Sequence, residues 1–253
     1  MTLRFCALAS GSRGNALLVE HDETLLLIDC GLPLKTLNAR LASVGRELSD
    51  IDALLITHEH GDHSRGIGPV RRRRPIPLFT TPGTAQAVTE ITTFERLSCN
   101  RELTIGSIHV QPFPVPHDAR EPCQFVFRAG RERLGLLTDT GHATPMIHQS
   151  LQSCDALAIE FNHDSWMLEN GQYPESVKAR VGSRLGHLNN EQAVELLAEV
   201  MHPGLQWIAG LHLSERNNSP ERVREAAARV TDHSGVELRL AAQDEPTGWI
   251  EVV

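Results

Sequence analysis

The sequence predicts an α/β protein in which two β-sheets pack against each other with helices on their outer sides. Short apolar runs fall into two separate groups along the chain, and segments with helical spacing lie around them. Of the 253 residues, 40% are hydrophobic, and a chain of this length can bury a substantial core. We therefore expect residues 1–253 to form one domain, a sandwich of two sheets with helices outside.

The first group of strands occupies the first third of the chain. Leucine-rich and β-branched runs predict strands, and Gly11 and Asn15 predict the first turn between them. The predicted strands are residues 3–8, 16–20, 24–28, 53–56 and 78–80. A helix is predicted from Pro33 to Val44, with a proline in its first turn and Gly45 as its stop. Another short helix is predicted at residues 82–88.

The second group of strands begins near residue 108 and is accompanied by longer helices. The predicted strands are residues 108–112, 124–128, 134–138, 156–160 and 207–211. Apolar residues recur with a helical period from Glu191 to Met201, and Asn189 or Asn190 is a suitable N-cap. Ser219 and Pro220 open a further helix as a cap and a first-turn proline.

Composition and charge narrow the possible functions. The formal net charge is −8, which does not favour nucleic acid by itself, although a local basic patch such as Arg71–Arg74 counts for more than the total. The five cysteines form no Cys-x-x-Cys pair, which indicates reduced thiols rather than a disulfide framework. Residues 1–10 lack the pattern of a secretory signal, and no apolar run is long enough to span a bilayer. We expect a cytoplasmic protein without a membrane partner.

Three histidines and an aspartate lie within six residues, directly after the predicted strand at 53–56. They are His58, His60, Asp62 and His63. Neutral imidazole and carboxylate groups suit zinc, and manganese less specifically. One tetrahedral ion cannot easily use all four side chains at this spacing. The segment therefore predicts two ions, each of which needs further ligands from elsewhere in the chain.

Four other positions place a ligand residue at or just after a predicted strand. They are His117, Asp139, His163 and His212. A single histidine at a strand end is more often structural than a metal ligand. The cluster at residues 58–63 needs further ligands, and this need favours a ligand role for these four residues.

These residues together carry a resemblance to a known family. The segment Thr57–His63 resembles the H-x-H-x-D-H motif of the metallo-β-lactamase superfamily, and His117, Asp139 and His212 follow in that family's order. Further segments resemble its YycJ/WalJ-like branch, a group of cytoplasmic proteins associated with DNA exonuclease activity. These segments are residues 9–15, 27–31, 160–164, 186–190 and 212–218.

The resemblance implies a four-layer αββα sandwich, the metallo-β-lactamase fold, with two divalent ions at one edge of the sheets. It implies that one ion is held by His58, His60 and His117. The other would be held by Asp62, His63 and His212, with Asp139 bridging the two. Each ion would keep a position free for water or substrate.

The expected activity is hydrolysis of phosphodiester bonds, with DNA favoured as the nucleic acid substrate of an exonuclease. Asp62 is expected to help orient the nucleophile, and His187 to donate the proton to the leaving group. Asp29 follows a predicted buried strand and is expected to orient a ligand histidine. The candidate substrate contacts are His163, Arg71, Arg72, Arg73, Ser12 and Asn15.

Two other classes of function fit the same sequence. One is another hydrolase on the same fold: a small-molecule cyclic phosphodiesterase, a thioesterase or a lactonase. The short chain and acidic charge favour such a smaller substrate, whereas Arg71–Arg74 favour phosphate over thioester. The other class is a metal-binding interaction module without catalysis, which the complete ligand set and His187 argue against.

Overall fold

The computed structural model of the protein describes residues 2–253, and two mixed β-sheets form its centre. The strands are β1 (Arg4–Ala9), β2 (Ala16–His21), β3 (Thr24–Ile28), β4 (Ala53–Leu55), β5 (Leu78–Thr80), β6 (Glu95–Arg96), β7 (Leu103–Ile105), β8 (Ile108–Pro114), β9 (Cys123–Ala129), β10 (Glu132–Leu137), β11 (Ala156–Glu160), β12 (Trp207–Leu211), β13 (Glu237–Leu240) and β14 (Ile250–Glu251). The helices are α1 (Leu34–Ser43), α2 (Gly61–Ser64), α3 (Ile67–Arg73), α4 (Pro82–Ala87), α5 (Pro145–Leu151), α6 (Ser165–Asn170), α7 (Glu175–Val181), α8 (Asn190–Val200) and α9 (Pro220–Thr231).

The two sheets share one plan. The first has the strand order β14-β1-β2-β3-β4-β5-β6, and the second has the order β13-β12-β11-β10-β9-β8-β7. Each begins as an antiparallel meander and continues with parallel strands, which are β3 to β6 in the first sheet and β10 to β13 in the second. The carboxyl ends of the parallel strands therefore lie together at one edge of each sheet.

Three clusters of buried apolar side chains define the layers. The central cluster joins residues of both sheets, such as Phe5 and Phe125. A second cluster packs the outer face of the first sheet against α1, α3 and α4, and a third packs the second sheet against α5, α8 and α9. Four layers in the order helix, sheet, sheet, helix result, which confirms the predicted αββα sandwich.

Burial on both faces explains why the strands are apolar throughout instead of alternating. In β1, Phe5 and Ala7 point into the central cluster, whereas Cys6 and Leu8 point toward the helices. Successive side chains of a strand point to opposite faces, so both faces must be apolar when both are covered. The same division holds in β11, where Ala158 faces the centre and Ile159 faces the helices.

The strands and helices that the sequence predicts are confirmed, whereas several short helices and strands are not predicted. The ten predicted strands and the helices α1, α4 and α8 all form within one or two residues of their predicted ends, and α9 begins at the predicted Pro220. Asn189 caps α8 and forms a reciprocal capping box with Gln192. The elements without a sequence prediction have two to seven residues, too short for a period to be recognised: α2, α3, α5, α6, α7, β6, β7, β13 and β14.

The helices in residues 2–253 are all short. The longest, α9, has 12 residues, whereas a membrane-spanning helix needs about 20 apolar residues. In this part of the chain there is accordingly no helix that is long and apolar enough to cross a membrane.

Three loops of the first sheet meet at its edge through backbone contacts. The amide of Asn15 donates to the carbonyl of Asp62 at 2.8 Å, and the amide of Gly31 donates to the carbonyl of Asn15 at 2.9 Å. The approach is so close that a Cβ atom on Gly31 would lie 1.6 Å from the Asp62 oxygen. Glycine is therefore required at residue 31 to keep the histidine-rich loop in position.

We predict that Gly31→Ala destabilises the protein, because the new methyl group overlaps the Asp62 carbonyl and the loops must separate. The free energy of unfolding should fall by about 1–3 kcal/mol, the usual cost of overpacking. Gly61→Ala is the matched control in the same loop, since a Cβ there meets no atom within 4 Å. Urea denaturation of both variants measures the difference, and equal stability of the two would contradict the role of Gly31.

Candidate metal centre and active site

The candidate ligands gather at the edge where the parallel strands of both sheets end. Residues 58–63 follow β4 in the first sheet, and Asp139 and His212 follow β10 and β12 in the second. His117 follows β8, which runs parallel to β10 because β9 is antiparallel to both. Loops at the carboxyl ends of parallel strands are the usual place for ligands in α/β proteins. Four separate groups of predicted ligands thus come together.

Three residues at this edge have left-handed backbone conformations. Asp29, Asp139 and His212 have φ angles of 61°, 50° and 55°. Positive φ is uncommon outside glycine and costs on the order of 1–3 kcal/mol per residue. Each of these residues comes within two positions of a strand end, so the turn directs its side chain toward the group of ligand residues.

The first set of ligand atoms consists of three imidazoles. His58, His60 and His117 each offer a nitrogen, and these atoms lie within 4.8 Å of one another. His60 Nδ1 is 3.2 Å from His117 Nε2. The other ring nitrogen of His117 donates to the carbonyl of Gly186 at 3.1 Å, which leaves Nε2 as an acceptor that faces the set.

The second set combines a carboxylate with two imidazoles. Asp62, His63 and His212 offer three atoms within 4.8 Å of one another. Asp139 lies beside this set, with Oδ2 3.1 Å from His63 Nε2 and Oδ1 3.1 Å from His212 Nδ1. Asp139 also groups with His58 of the first set. Its carboxylate therefore lies between the two sets, where a bridging ligand is expected.

Asp29 orients His63, as the sequence predicted for this aspartate. Its Oδ2 accepts from His63 Nδ1 at 2.7 Å, and its Oδ1 accepts from the amide of Thr57 at 2.9 Å. The Thr57 hydroxyl also donates to this carboxylate, so it is free to accept from His58 Nδ1 at 3.0 Å. One buried carboxylate thus fixes the Nδ1 atom of His63 directly and that of His58 through Thr57. The Nε2 atoms of both rings are left for the site.

The electrostatics of the site favour a bound cation. Burial alone would lower the pKa values of His63 and His212, but Asp139 raises both well above the usual range. The pKa of Asp139 is held well below its usual range by the same two histidines, although burial opposes this. Burial, together with His63, lowers the pKa of His58 far below normal. Such pKa shifts arise where imidazole and carboxylate groups are buried close together, as they are around a metal ion.

Divalent metal ions fit the groups present. With its Nδ1 proton donated to Asp29, a neutral His63 has only an acceptor at Nε2, and this atom faces an acceptor oxygen of Asp139. Buried atoms without a hydrogen-bond partner include His58 Nε2, Asp139 Oδ2 and His212 Nε2. A proton or a cation must lie between His63 Nε2 and the Asp139 oxygen at this distance, and imidazole with carboxylate is a ligand set for divalent metals.

His187 and Glu160 form a pair at the border of the second ligand set. His187 Nδ1 lies 3.1 Å from Glu160 Oε2, and the other Glu160 oxygen accepts from the amides of Thr140 and Leu188. Burial alone would raise the pKa of Glu160, but His187 and His212 lower it to about 2. Glu160 was missed as a site residue. The sequence signal that could have revealed it is the position of this charged residue at the end of an apolar strand.

The site opens into a cavity of about 220 Å³. His60, Asp62, Asp139, His187 and His212 form part of its wall. Ser12 of the 9–15 loop and the region of α7, including Tyr173 and Arg180, form a second part. Asn162, Ser214 and Asn217 complete it. Ligand groups, the Glu160–His187 pair and a solvent entrance therefore share one space, which a substrate can reach.

The predicted substrate contacts divide into residues inside and outside this cavity. Ser12 lines it, as expected. Asn15 is buried and lies 3.3 Å from Asp62 Oδ2 and 3.1 Å from His63 Nε2, so it holds ligand side chains. His163 is only 3% exposed and is not part of the wall. Burial of His163 lowers its pKa to about 4. The ring does not reach the cavity, so the structure does not support direct substrate contact by His163 there.

Arg71, Arg72 and Arg73, which are predicted to contact the substrate, also lie outside the cavity. They end α3, which leads from the carboxyl end of β4 to the start of β5. Because β4 and β5 are parallel, this crossover returns the chain to the opposite edge of the sheet. There Arg71 donates to Thr93, and Arg73 lines a separate cavity with Arg46 and Leu48.

Known proteins resemble the chain in sequence. Residues 24–205 match the family model described as Beta-lactamase superfamily domain. Exodeoxyribonuclease YycJ of Bacillus anthracis is 36% identical over 241 residues, which cover 93% of this chain and 91% of that protein. Exodeoxyribonuclease WalJ of Streptococcus pneumoniae serotype 2 (strain D39) is 34% identical over 226 residues, which cover 86% of this chain and 84% of that protein.

The fold is also that of solved structures. The metallo-beta-lactamase fold protein YhfI from Bacillus subtilis superposes with a TM-score of 0.76 over 97% of this chain and 99% of that one. Its sequence identity is 16%, so this likeness concerns the fold alone. The family match and the two full-length relatives define the membership. This chain belongs to the metallo-β-lactamase superfamily, as a hydrolase of the group that contains the YycJ and WalJ exodeoxyribonucleases.

Proposed function

We propose that this protein is a DNA exonuclease that hydrolyses phosphodiester bonds with two divalent metal ions. One observation carries the proposal: two open ligand sets flank Asp139, and His187, held by the buried Glu160, faces the same cavity. A pair of metal sites is a common device for cleaving phosphodiesters. The exodeoxyribonuclease names of the relatives support DNA as the substrate.

In this proposal, each group of the site has one task. His58, His60 and His117 would hold one ion, Asp62, His63 and His212 the other, and Asp139 both. When bound, the ions supply Lewis acidity, which activates a water molecule and offsets negative charge on the phosphate oxygens. Asp62 lines the cavity and would also orient the attacking water.

His187 would complete the reaction by protonating the leaving oxygen. Its Nδ1 proton points to the buried Glu160 carboxylate, so Nε2 is the atom available to a substrate in the cavity. Glu160 holds the ring in one orientation through this hydrogen bond. A proton on Nε2 would then move to the departing alkoxide of the nucleic acid.

Zinc and manganese are the metals we propose, because five imidazoles with two carboxylates suit both. The compartment we propose is the cytoplasm. All five cysteines are free thiols, and four of them are buried, in keeping with a reducing environment.

A small cyclic phosphodiester is the second candidate substrate. The cavity of about 220 Å³ is below the roughly 300 Å³ at which most small-molecule pockets begin. A cavity this small favours a compact substrate. Incubation with cyclic mononucleotides beside end-labelled DNA and RNA would decide between the candidates, because only an exonuclease produces a ladder that shortens from one end.

We predict that His58→Ala and His187→Ala separate metal binding from proton donation. His58→Ala removes a ligand and should lower both the metal content and the activity. His187→Ala should keep the metal content but reduce DNA hydrolysis roughly 10²–10⁴-fold, the usual contribution of a general acid. Metal analysis by mass spectrometry and assays with end-labelled DNA provide the two measurements. DNA hydrolysis at the wild-type rate by His187→Ala would refute the acid role.

We predict that Glu160→Gln affects substrates according to their leaving group. Glutamine keeps an oxygen for the amides of Thr140 and Leu188 but removes the charge beside His187. Cleavage of DNA should slow by about tenfold or more, since an alkoxide must be protonated as it leaves. Thymidine 5′-(p-nitrophenyl phosphate) should be affected far less, because p-nitrophenolate departs without a proton. Equal losses on both substrates would place the effect of Glu160 in the metal sites or the fold instead.

A further inference from the structure

One face of the α7 region forms the cavity wall opposite the metal ligands. Tyr173, Val177, Arg180 and Val181 line the cavity. The last three share one side of α7, and Tyr173 precedes this helix. No residue of α7 is buried, so this helix contributes little to the core. Its position is maintained at one end by Arg180, whose Nε donates to Asp118 at 2.5 Å.

Tyr173 stands out in this wall. It is the only tyrosine of the chain, it is half-buried, and it lies just before α7. The guanidinium of Arg216 lies over its ring, 5.7 Å from the ring centroid. The two residues come from different parts of the chain, since Arg216 follows β12 and the ligand His212.

Arg216 also has free hydrogen-bonding capacity. Most arginines near the site are engaged by carboxylates: Arg180 by Asp118, and Arg13 by Glu215. Arg216 is exposed and makes neither an ion pair nor a side-chain hydrogen bond with any residue from 2 to 253. Its donors are therefore available to an anion at the rim of the cavity.

We propose that Tyr173 and Arg216 form a stacking wall that holds an unpaired nucleotide at the end of a DNA strand. The inference rests on the proposed exonuclease function and names the form of its substrate. An aromatic ring beside a free arginine is the combination that binds single strands, because every base can stack and every phosphate is an anion. A base within a duplex has both faces covered by neighbours, so this wall selects frayed or single-stranded ends.

The test compares intact and abasic single-stranded oligonucleotides. The abasic versions carry tetrahydrofuran residues in place of the last two nucleotides at both ends. Tyr173→Ala should raise KM for the intact strand about tenfold, within the range for one stacked base. The abasic strand should be unaffected, since it has no base to stack. Tyr173→Phe keeps the ring and should behave like the wild type on both.

Matched controls distinguish the wall from general surface effects. Trp166 is 65% exposed and is not part of the cavity wall, so Trp166→Ala should leave KM unchanged. Arg216→Gln should lower affinity and reduce the salt dependence of binding by about 0.7 in the log–log slope, the value for one phosphate contact on a single strand. Arg73→Gln removes the same charge at the opposite edge of the sheet and should leave that slope unchanged.

Binding measurements keep this inference separate from the proposed function. Fluorescence anisotropy with a labelled single strand, in a metal-loaded His187→Ala background, reports affinity without turnover. If the wild type binds but does not degrade DNA, and Tyr173→Ala weakens binding, the exonuclease proposal fails and the stacking wall stands. If the wild type degrades DNA, but Tyr173→Ala changes neither KM nor affinity, the wall is refuted. Equal losses on intact and abasic strands would also refute it.

Discussion

The close approach of imidazole nitrogens and carboxylate oxygens is the constraint on which the site depends. Asp139 Oδ2 faces His63 Nε2 at 3.1 Å, and His60 Nδ1 faces His117 Nε2 at 3.2 Å. Buried acceptors without a proton or cation between them are strongly unfavourable. The fold holds these side chains together by two means. One is hydrogen bonds to neighbouring residues, such as that between Asp29 and His63, and the other is backbone turns with positive φ. A divalent ion would take the place of the protons between these atoms and so stabilise the arrangement.

The two sheets contribute different halves of the site, so sheet packing and chemistry are coupled. The first sheet carries the loop from His58 to His63, and the second carries His117, Asp139, Glu160 and His212. The central cluster of side chains, with Phe5 from one sheet and Phe125 from the other, sets the distance between these halves. A cavity made in that cluster would therefore alter the separation of the ligands as well as the stability.

The sequence predicts the features that have local causes. Strands buried on both faces are recognisable as apolar runs, and α8 is recognisable from its cap and period. The ligands were found because each follows such a strand, and strand ends meet at one edge. Glu160 was missed, because an isolated glutamate ending an apolar run shows no partner until His187 approaches from a distant loop. The position of the arginine run could not be predicted from its nearness in sequence to the ligand cluster, since the crossover through α3 separates the two.

The distribution of charge explains how an acidic protein can accept a nucleic acid. The net charge is −8, but association depends on the local field around the site. Glu20 is neutralised by both Arg4 and Arg46, far from the cavity. At the cavity itself, two bound divalent ions would add four positive charges to a site with two ligand carboxylates, Asp62 and Asp139. The metal centre, with Arg216 at its rim, would thus supply the positive potential that phosphate requires, and no extended basic surface is needed.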